Sequence, residues 1–307
     1  MQVTRRQYLY LFGACLSAAP LDTLAESWRH IAAETDGVLG ASALHLGSGQ
    51  HLSLHGEERF PLASVCKLPI ALHILALVDE GKLARATPLE VVRQDVSTGV
   101  SEIARLWPQQ RSFPLDQLLL LMVSKSDNTA VETLQRIGGG APAIMARLRA
   151  WHLDGIRIDR TERQCGLDAS GPTPATRLAA MRRFIADPRD TGTPDGTVQL
   201  LKRLFHGELL SPSSTARAIQ ILSATVTGPE RIKGLLPPGV PVAHKTGTTG
   251  SASRLNGSTN DVGVITLPND AGQLALAVYL KGSTHDLPAR ETIIARIAKS
   301  AFDSRLA

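Results

Sequence analysis

Cysteine is scarce in this chain of 307 residues: three in all, none in a CxxC pair. That is too few for a disulfide scaffold, and the spacing of a structural zinc site is missing. No uninterrupted apolar run reaches the ~20 residues that a membrane-spanning helix needs. Like charges do not gather in blocks and the formal net charge is only +5, so a nucleic-acid footprint is excluded. Aromatic residues make up only 4%, yet 43% of the chain is hydrophobic and 20% charged, the balance of an ordinary globular protein and not of a disordered one. The length suffices for one large core or two closely joined lobes.

What is present begins with an export segment. Thr4-Arg5-Arg6-Gln7-Tyr8-Leu9 is a positive start similar to a twin-arginine signal. A short apolar core, Leu9 to Pro20, follows, and Thr23-Leu24-Ala25 is an acceptable cleavage site. Residues 1–25 are therefore expected to be removed, leaving a periplasmic protein. The alternative is a buried N-terminal helix, in which adjacent arginines before an apolar segment have little use. Cys15 follows Phe12-Gly13-Ala14, a poor match to a lipidation site. Two cysteines then remain in an oxidising compartment, where a disulfide is allowed.

Along the mature chain, 26–36 suits an amphipathic helix, and Gly37–Leu46 with His51–Leu54 reads as a β-hairpin around Gly47-Ser48-Gly49. The middle is helical by periodicity: Ser64–Val78 closed by Gly81, Leu115–Val123, Thr129–Ile137 stopped by Gly138-Gly139-Gly140, then Ala175–Ile185, Thr197–Phe205 and Ser214–Leu222. The period then changes to strands at Val240–Lys245, Asp261–Leu267 and Leu274–Leu280, with Asn269-Asp270-Ala271-Gly272 as a hairpin turn. Pro288 opens a last helix to about Phe302. Strands at both ends and helices between predict an α/β fold. One antiparallel sheet is built from both chain ends with flanking helices, and an all-helical lobe is inserted. The expected boundaries are about 26–60 and 212–307 for the α/β lobe and 61–211 for the helical lobe.

Three short motifs stand in order: Ser64-Val65-Cys66-Lys67, Ser126-Asp127-Asn128 and Lys245-Thr246-Gly247. An S-x-x-K alone is expected about once by chance in a chain this long, and each of the others well under ~0.2 times. Ser64 and Lys67 at a helix start share one face, one turn apart. A serine hydroxyl needs a neighbouring base, and a lysine serves only when burial or nearby charge, here that of Lys245, lowers its pKa. The helix N-terminus offers backbone N–H groups to an oxyanion. A surface Ser-Lys pair is the bland alternative, but Phe60-Pro61-Leu62-Ala63 and Leu68-Pro69-Ile70-Ala71 imply burial. Ser126-Asp127-Asn128 lies between two helices, where a hydroxyl can shuttle a proton and an amide can hold a carbonyl. Each of its residue types also suits a helix N-cap. Lys245-Thr246-Gly247-Thr248 ends a strand. Its lysine and threonines can bind a carboxylate, its glycine permits close approach, and the Thr248 N–H can serve as a second oxyanion donor. A plain strand-end turn is the competing reading.

These motifs, in this order, resemble those of the penicillin-recognising serine enzymes, which include β-lactamases and transpeptidases. Asp159-Arg160-Thr161-Glu162 resembles the class A β-lactamase loop that carries the deacylating glutamate, and 187–194 the segment leaving that loop. Thr227-Gly228-Pro229-Glu230-Arg231 and Val242-Ala243-His244 are similar to an extended-spectrum subgroup. The resemblance covers nearly all of 26–307. It implies Ser64 as acylated nucleophile and Lys67 and Glu162 as bases, with the choice between them for activating the serine disputed. It also implies Ser126 as proton relay, Asn128 on the acylamide side chain, and Lys245, Thr246 and Thr248, beside Gly247, on the ring carboxylate with Arg231 as helper. The Ser64 and Thr248 N–H groups form the oxyanion hole. A small-molecule β-lactam is the implied partner, with no metal, cofactor, nucleic acid or stable membrane span, and a monomer is expected.

The chain departs from that family at Arg163, where proline is usual, and at Gly166, where an asparagine helps hold the hydrolytic water. The stretch Arg163–Ala186, 24 residues, is long, and its Pro172, Pro174 and helical pattern suggest an inserted helix. Cys66 lies between nucleophile and lysine and Cys165 three residues past Glu162. A disulfide that pins the loop and a pair of small buried hydrophobes are both open readings. A D-alanyl-D-alanine carboxypeptidase of similar fold would share the acylation residues but lack Glu162. A non-hydrolytic lactam sensor would acylate and stay acylated, and a serine glutaminase shares only S-x-x-K.

Overall fold

The structure is a computed structural model and describes residues 21–305. The twin arginines, the apolar core of the export segment and Cys15 lie outside the described residues. Thr23-Leu24-Ala25, read as a cleavage site, lies in the first turns of helix α1 (Leu21–Ala33), where Leu24 is buried. Cleavage after Ala25 would remove that contact.

Five antiparallel strands form the main sheet: β1 (Val38–His45), β2 (His51–Leu54), β3 (Val242–Thr248), β4 (Ser258–Thr266) and β5 (Gln273–Lys281), in the order β2-β1-β5-β4-β3. Both chain ends contribute, as expected. The central strands are buried on both faces, so β1 and β5 read as near-continuous small and apolar runs and not as alternating ones. One face packs on α1 and the last helix, α10 (Leu287–Ser304), through Trp28, Leu39, Val278 and Ile294. Trp28 Nε1 donates to Ser300 Oγ at 3.0 Å, so the buried indole keeps its hydrogen bond. The other face, with Val262, Ala275 and Tyr279, joins the core of the helical part. The β4–β5 hairpin turns through Asn269 and Asp270 at φ 57° and 55°, a left-handed backbone that these two residue types tolerate.

Helices α2 (Lys67–Asp79), α3 (Leu115–Ser124), α4 (Asn128–Ile137), α5 (Gly140–Ala150), α6 (Glu162–Asp168), α7 (Pro174–Ala186), α8 (Pro194–Phe205) and α9 (Pro212–Ser223) fill the middle of the chain. Nearly every residue in the first three turns of α2 is buried, so its sequence shows no polar stripe. Helix α8 packs on β1 and β5, and α9 lies against β3, α2 and α3. The run Gly138-Gly139-Gly140 does more than stop α4: Gly139, at φ 86°, is the N-cap residue of α5, so the chain turns sharply and a new helix starts.

The long stretch after Glu162 contains α6 and α7, the latter in the place of the expected inserted helix. Its two ends are tied by Arg160. The Nε donates to Asp190 Oδ2 at 2.6 Å, and Nη1 to Asp168 at 2.6 Å and Asp187 at 3.3 Å. Asp190 also accepts the backbone N–H groups of Asp159 and Arg160. The Arg189 guanidinium holds the Asp187 carboxyl at about 2.

The disulfide is corrected by the structure: Cys66 and Cys165 are both free. Cys66 packs against the core of the helical part, whereas Cys165 packs with Met181 and Phe184 beneath the loop. They pack against different apolar neighbours, although both border one cavity. Loop closure falls instead to the Arg160–Asp190 pair. Thiol titration of the unfolded 21–305 chain is expected to give two thiols with or without prior reduction. Two thiols appearing only after reduction would contradict this.

Candidate active site

Ser64 sits in the tight turn Ala63–Cys66 that runs directly into α2. Ala63, just before it, has φ 46°, a strained value for a residue with a β-carbon. The turn is held from beneath by Asn260 of β4, whose Nδ2 donates to the carbonyls of Pro61 and Leu62 at 2.9 and 3.0 Å.

Lys67 is fully buried. Its Nζ lies 3.0 Å from Ser64 Oγ, 2.8 Å from the Ser126 carbonyl, 3.2 Å from Ser126 Oγ and 2.5 Å from Asn128 Oδ1. An ammonium has three protons for these four oxygens. A neutral amine has two, and a lone pair that can take the proton of Ser64.

In the Ser126-Asp127-Asn128 motif the cap reading holds for Asp127, while Ser126 and Asn128 line the cleft. Asp127 is the buried N-cap of α4, accepting from the N–H groups of Thr129 and Ala130, both at 2.9 Å. It also accepts from Ser101 Oγ and the N–H groups of Glu102 and Ile103, which fastens that loop to the helix. Ser126 is left at φ 60° with its side chain in the cleft, and Asn128 opens α4 beside Lys67.

Strand β3 brings the third motif. Lys245 is fully buried, and its Nζ donates to Ser126 Oγ at 3.1 Å and to the Thr246 carbonyl at 2.8 Å. Burial, followed by the charge of Lys67, lowers its pKa from the usual lysine value to about 7. Behind it, His244 Nδ1 lies 2.9 Å from Asp261 Oδ1, a buried pair that links β3 to β4. A β-carbon at Gly247 would meet the Leu62 carbonyl at 2.6 Å and the Val65 nitrogen at 3.1 Å. Only glycine lets β3 run this close to the turn that carries Ser64.

Thr246 Oγ1 lies 2.5 Å from Thr227 Oγ1. Arg231 Nη2 donates to Thr248 Oγ1 at 2.6 Å and Nη1 to the carbonyls of Gly247 and Asn260, while Nε is 3.0 Å from Glu291. Arg231 therefore acts on the end of β3 through Thr248. Glu162 is the first residue of α6, which Thr161 and Gln164 cap reciprocally. The next peptide is anchored by Glu132 of α4, whose Oε1 accepts the Arg163 N–H at 2.7 Å. Burial raises the pKa of Glu132, and that N–H opposes the rise.

The outcome is one cleft of about 220 Å³ lined by Ser64, Ser126, Asn128, Glu162, Thr246 and Thr248, with Arg231 also lining it. Lys67 and Lys245 are buried in its wall. Cys66 and Cys165 line a neighbouring cavity instead. Glu132 and the Thr227–Thr246 contact were not singled out from sequence. Glu132 belongs to an ordinary amphipathic helix, and no local pattern marks its partner 31 residues away. Among the described residues, no group of three or more His, Cys, Asp and Glu converges as a metal site.

Residues 23–304 match the model of the β-lactamase enzyme family. β-Lactamase VEB-1 of Pseudomonas aeruginosa is 31% identical over 99% of this chain and 98% of its own length. The extended-spectrum β-lactamase PER-1 of the same organism is 33% identical over 83% of this chain and 78% of its own. The crystal structure of the TLA-3 extended-spectrum β-lactamase superposes with a TM-score of 0.84 at 29% identity, covering 94% of this chain and 100% of that one. An ancestral class A β-lactamase superposes with a TM-score of 0.79 at 30% identity over 91% and 98%. A cleft that joins all three motifs, on this fold and with these relatives, means that the chain belongs to the β-lactamase enzyme family, in its class A branch, whose reaction is hydrolysis of the β-lactam amide.

Proposed function

We propose that hydrolysis runs through an ester on Ser64, which water activated by Glu162 then breaks. The observation that carries this is the contact of Lys67 Nζ with both Ser64 Oγ and Ser126 Oγ, while Ser126 Oγ also reaches Lys245. Ser64 Oγ attacks the lactam carbonyl carbon and its proton passes to the Lys67 amine. The N–H groups of Ser64 and Thr248 receive the oxyanion, a role supported by the contact of Gly247 with the Ser64 turn. Lys67 returns the proton through Ser126 to the ring nitrogen as the C–N bond opens. The charged Lys245, with Thr246 and Thr248, holds the ring carboxylate, and Arg231 positions Thr248. Glu162 lines the same cleft and takes a proton from the water that attacks the ester. A carboxypeptidase of similar fold has no use for that carboxylate, so its presence favours the hydrolase.

Export belongs to the same reading. It is supported by the short apolar segment and basic start of residues 1–20, and the twin-arginine route rests on Thr4–Leu9 alone. An exported enzyme of this kind confers β-lactam resistance by destroying the drug before it reaches the cell-wall enzymes.

Ser64→Ala is expected to lose ~10⁴–10⁶-fold in activity on a penicillin. In Glu162→Ala, deacylation slows by about 10²–10⁴-fold, so mass spectrometry finds the lactam adduct on the protein. Normal turnover in either variant contradicts the assignment. At Gly166 an added side chain meets no atom within 4 Å, and Gly166→Asn is expected to speed deacylation about tenfold by supplying a second group to hold the water. A slower single-turnover deacylation would refute that role. Because Lys245 loses its charge above about 7, kcat/KM should fall up to about tenfold per pH unit on that side. A profile flat from pH 6 to about 10 would show that the charge is not needed.

A further inference from the structure

Helix α6 has seven residues and none of them is buried, so little apolar packing fixes the place of Glu162, its first residue. Polar ties must set that place instead. The next residue, Arg163, stands where proline is usual in the family, and it brings two things that proline lacks: a peptide N–H and a cationic side chain. The N–H goes to Glu132 Oε1 at 2.7 Å. The guanidinium reaches a second anchor, its Nη2 donating to the Gln94 carbonyl at 2.9 Å and to the Val96 carbonyl at 2.8 Å.

Those two carbonyls flank Asp95, a buried residue. The Asp95 carboxylate accepts from Arg136 Nε at 2.9 Å and Nη2 at 2.6 Å, from Thr133 Oγ1 at 3.2 Å and from the Val92 N–H at 3.1 Å. One step on, the Ser97 N–H donates to Thr129 Oγ1 at 3.1 Å. Thr129, Thr133 and Arg136 all belong to α4, the helix that carries Glu132 and opens with Asn128. Both anchors of Arg163 are therefore fixed to one helix, whose first residue lies beside Lys67. Hydrogen bonds from a charged donor are the stronger kind, and two of them meet on one nitrogen here.

We infer that Arg163 is a positioning residue for the deacylating base: its guanidinium clamps the peptide that follows Glu162 to the 94–96 segment, and so holds the Glu162 carboxylate where it can take a proton from water beside the Ser64 ester. The clamp serves the second stage of the reaction. The hydrogen bonds that join Ser64, Lys67, Ser126 and Lys245 involve neither Arg163 nor its carbonyl partners. This inference rests on the reading of Glu162 as that base.

The test is single-turnover kinetics with benzylpenicillin, followed by rapid-quench mass spectrometry, which separates formation of the acyl-enzyme from its decay. In Arg163→Met, which keeps the stem and loses the donors, formation is expected at the wild-type rate and decay about 10- to 100-fold slower. Arg163→Lys, whose ammonium can still bond a carbonyl, should regain most of the decay rate. In a Glu162→Ala background, adding Arg163→Met should slow decay no further, because the residue acts only through Glu162. Decay at the wild-type rate in Arg163→Met, or an equal loss in formation and decay, overturns the clamp. Should Arg163→Met not fold, Arg163→Gln, which keeps a neutral donor, is judged by the same split between the two stages. A trapped adduct in Glu162→Ala beside normal decay in Arg163→Met removes the clamp alone, whereas normal decay in Glu162→Ala removes the base assignment and the clamp with it.

Discussion

Two buried lysine side chains, Lys67 and Lys245, converge on a single hydroxyl, that of Ser126. Lys67 comes from the helix that follows Ser64, Ser126 from the turn before α4, and Lys245 from β3. The site exists only where the sheet and the helical part meet. Burial first, and the nearby charge of Lys67 second, lower the pKa of Lys245. The fold sustains the pair with oxygens: the Ser126 carbonyl and Asn128 Oδ1 for Lys67, and the Thr246 carbonyl for Lys245. The strain at Ala63 and Ser126 belongs to the same arrangement, since each positive φ presents a serine hydroxyl to a lysine.

Much of the surrounding structure serves that convergence. Gly247 lets β3 press against the Ser64 turn, and Asn260 holds the turn from the other side. Asp127 caps α4 and fixes the neighbouring loop, and Ser126 and Asn128 on either side of it line the cleft. The Arg160–Asp190 pair closes the loop that carries Glu162, and Glu132 pins the peptide after it. Within that frame the loop still leaves an apolar cavity beside the cleft.

The parts of the fold most legible in the sequence were those whose burial follows a simple rule. The sheet from both chain ends, the long helices and the β4–β5 turn all carry period or turn signals that do not depend on distant residues. The three motifs were readable because each is local, and their meeting followed from the resemblance they carry. Other features were hidden because they are settled at a distance. Helix α6 is a seven-residue element, with no buried residue to give it a pattern. Helix α5 restarts after glycines that locally say stop. The cysteines are both free although they border one cavity, which no local pattern around either of them shows. Glu132 and the unpartnered Nη2 of Arg160 are likewise facts of packing.

In the proposed mechanism the amine of Lys67, placed 3.0 Å from Ser64 Oγ, makes that hydroxyl a nucleophile. The most direct measurement is the single-turnover acylation rate of Lys67→Ala with a penicillin, followed by rapid-quench mass spectrometry. Acylation is expected to slow by about 10²–10⁴-fold with Ser64 still present. Acylation at the wild-type rate would contradict it.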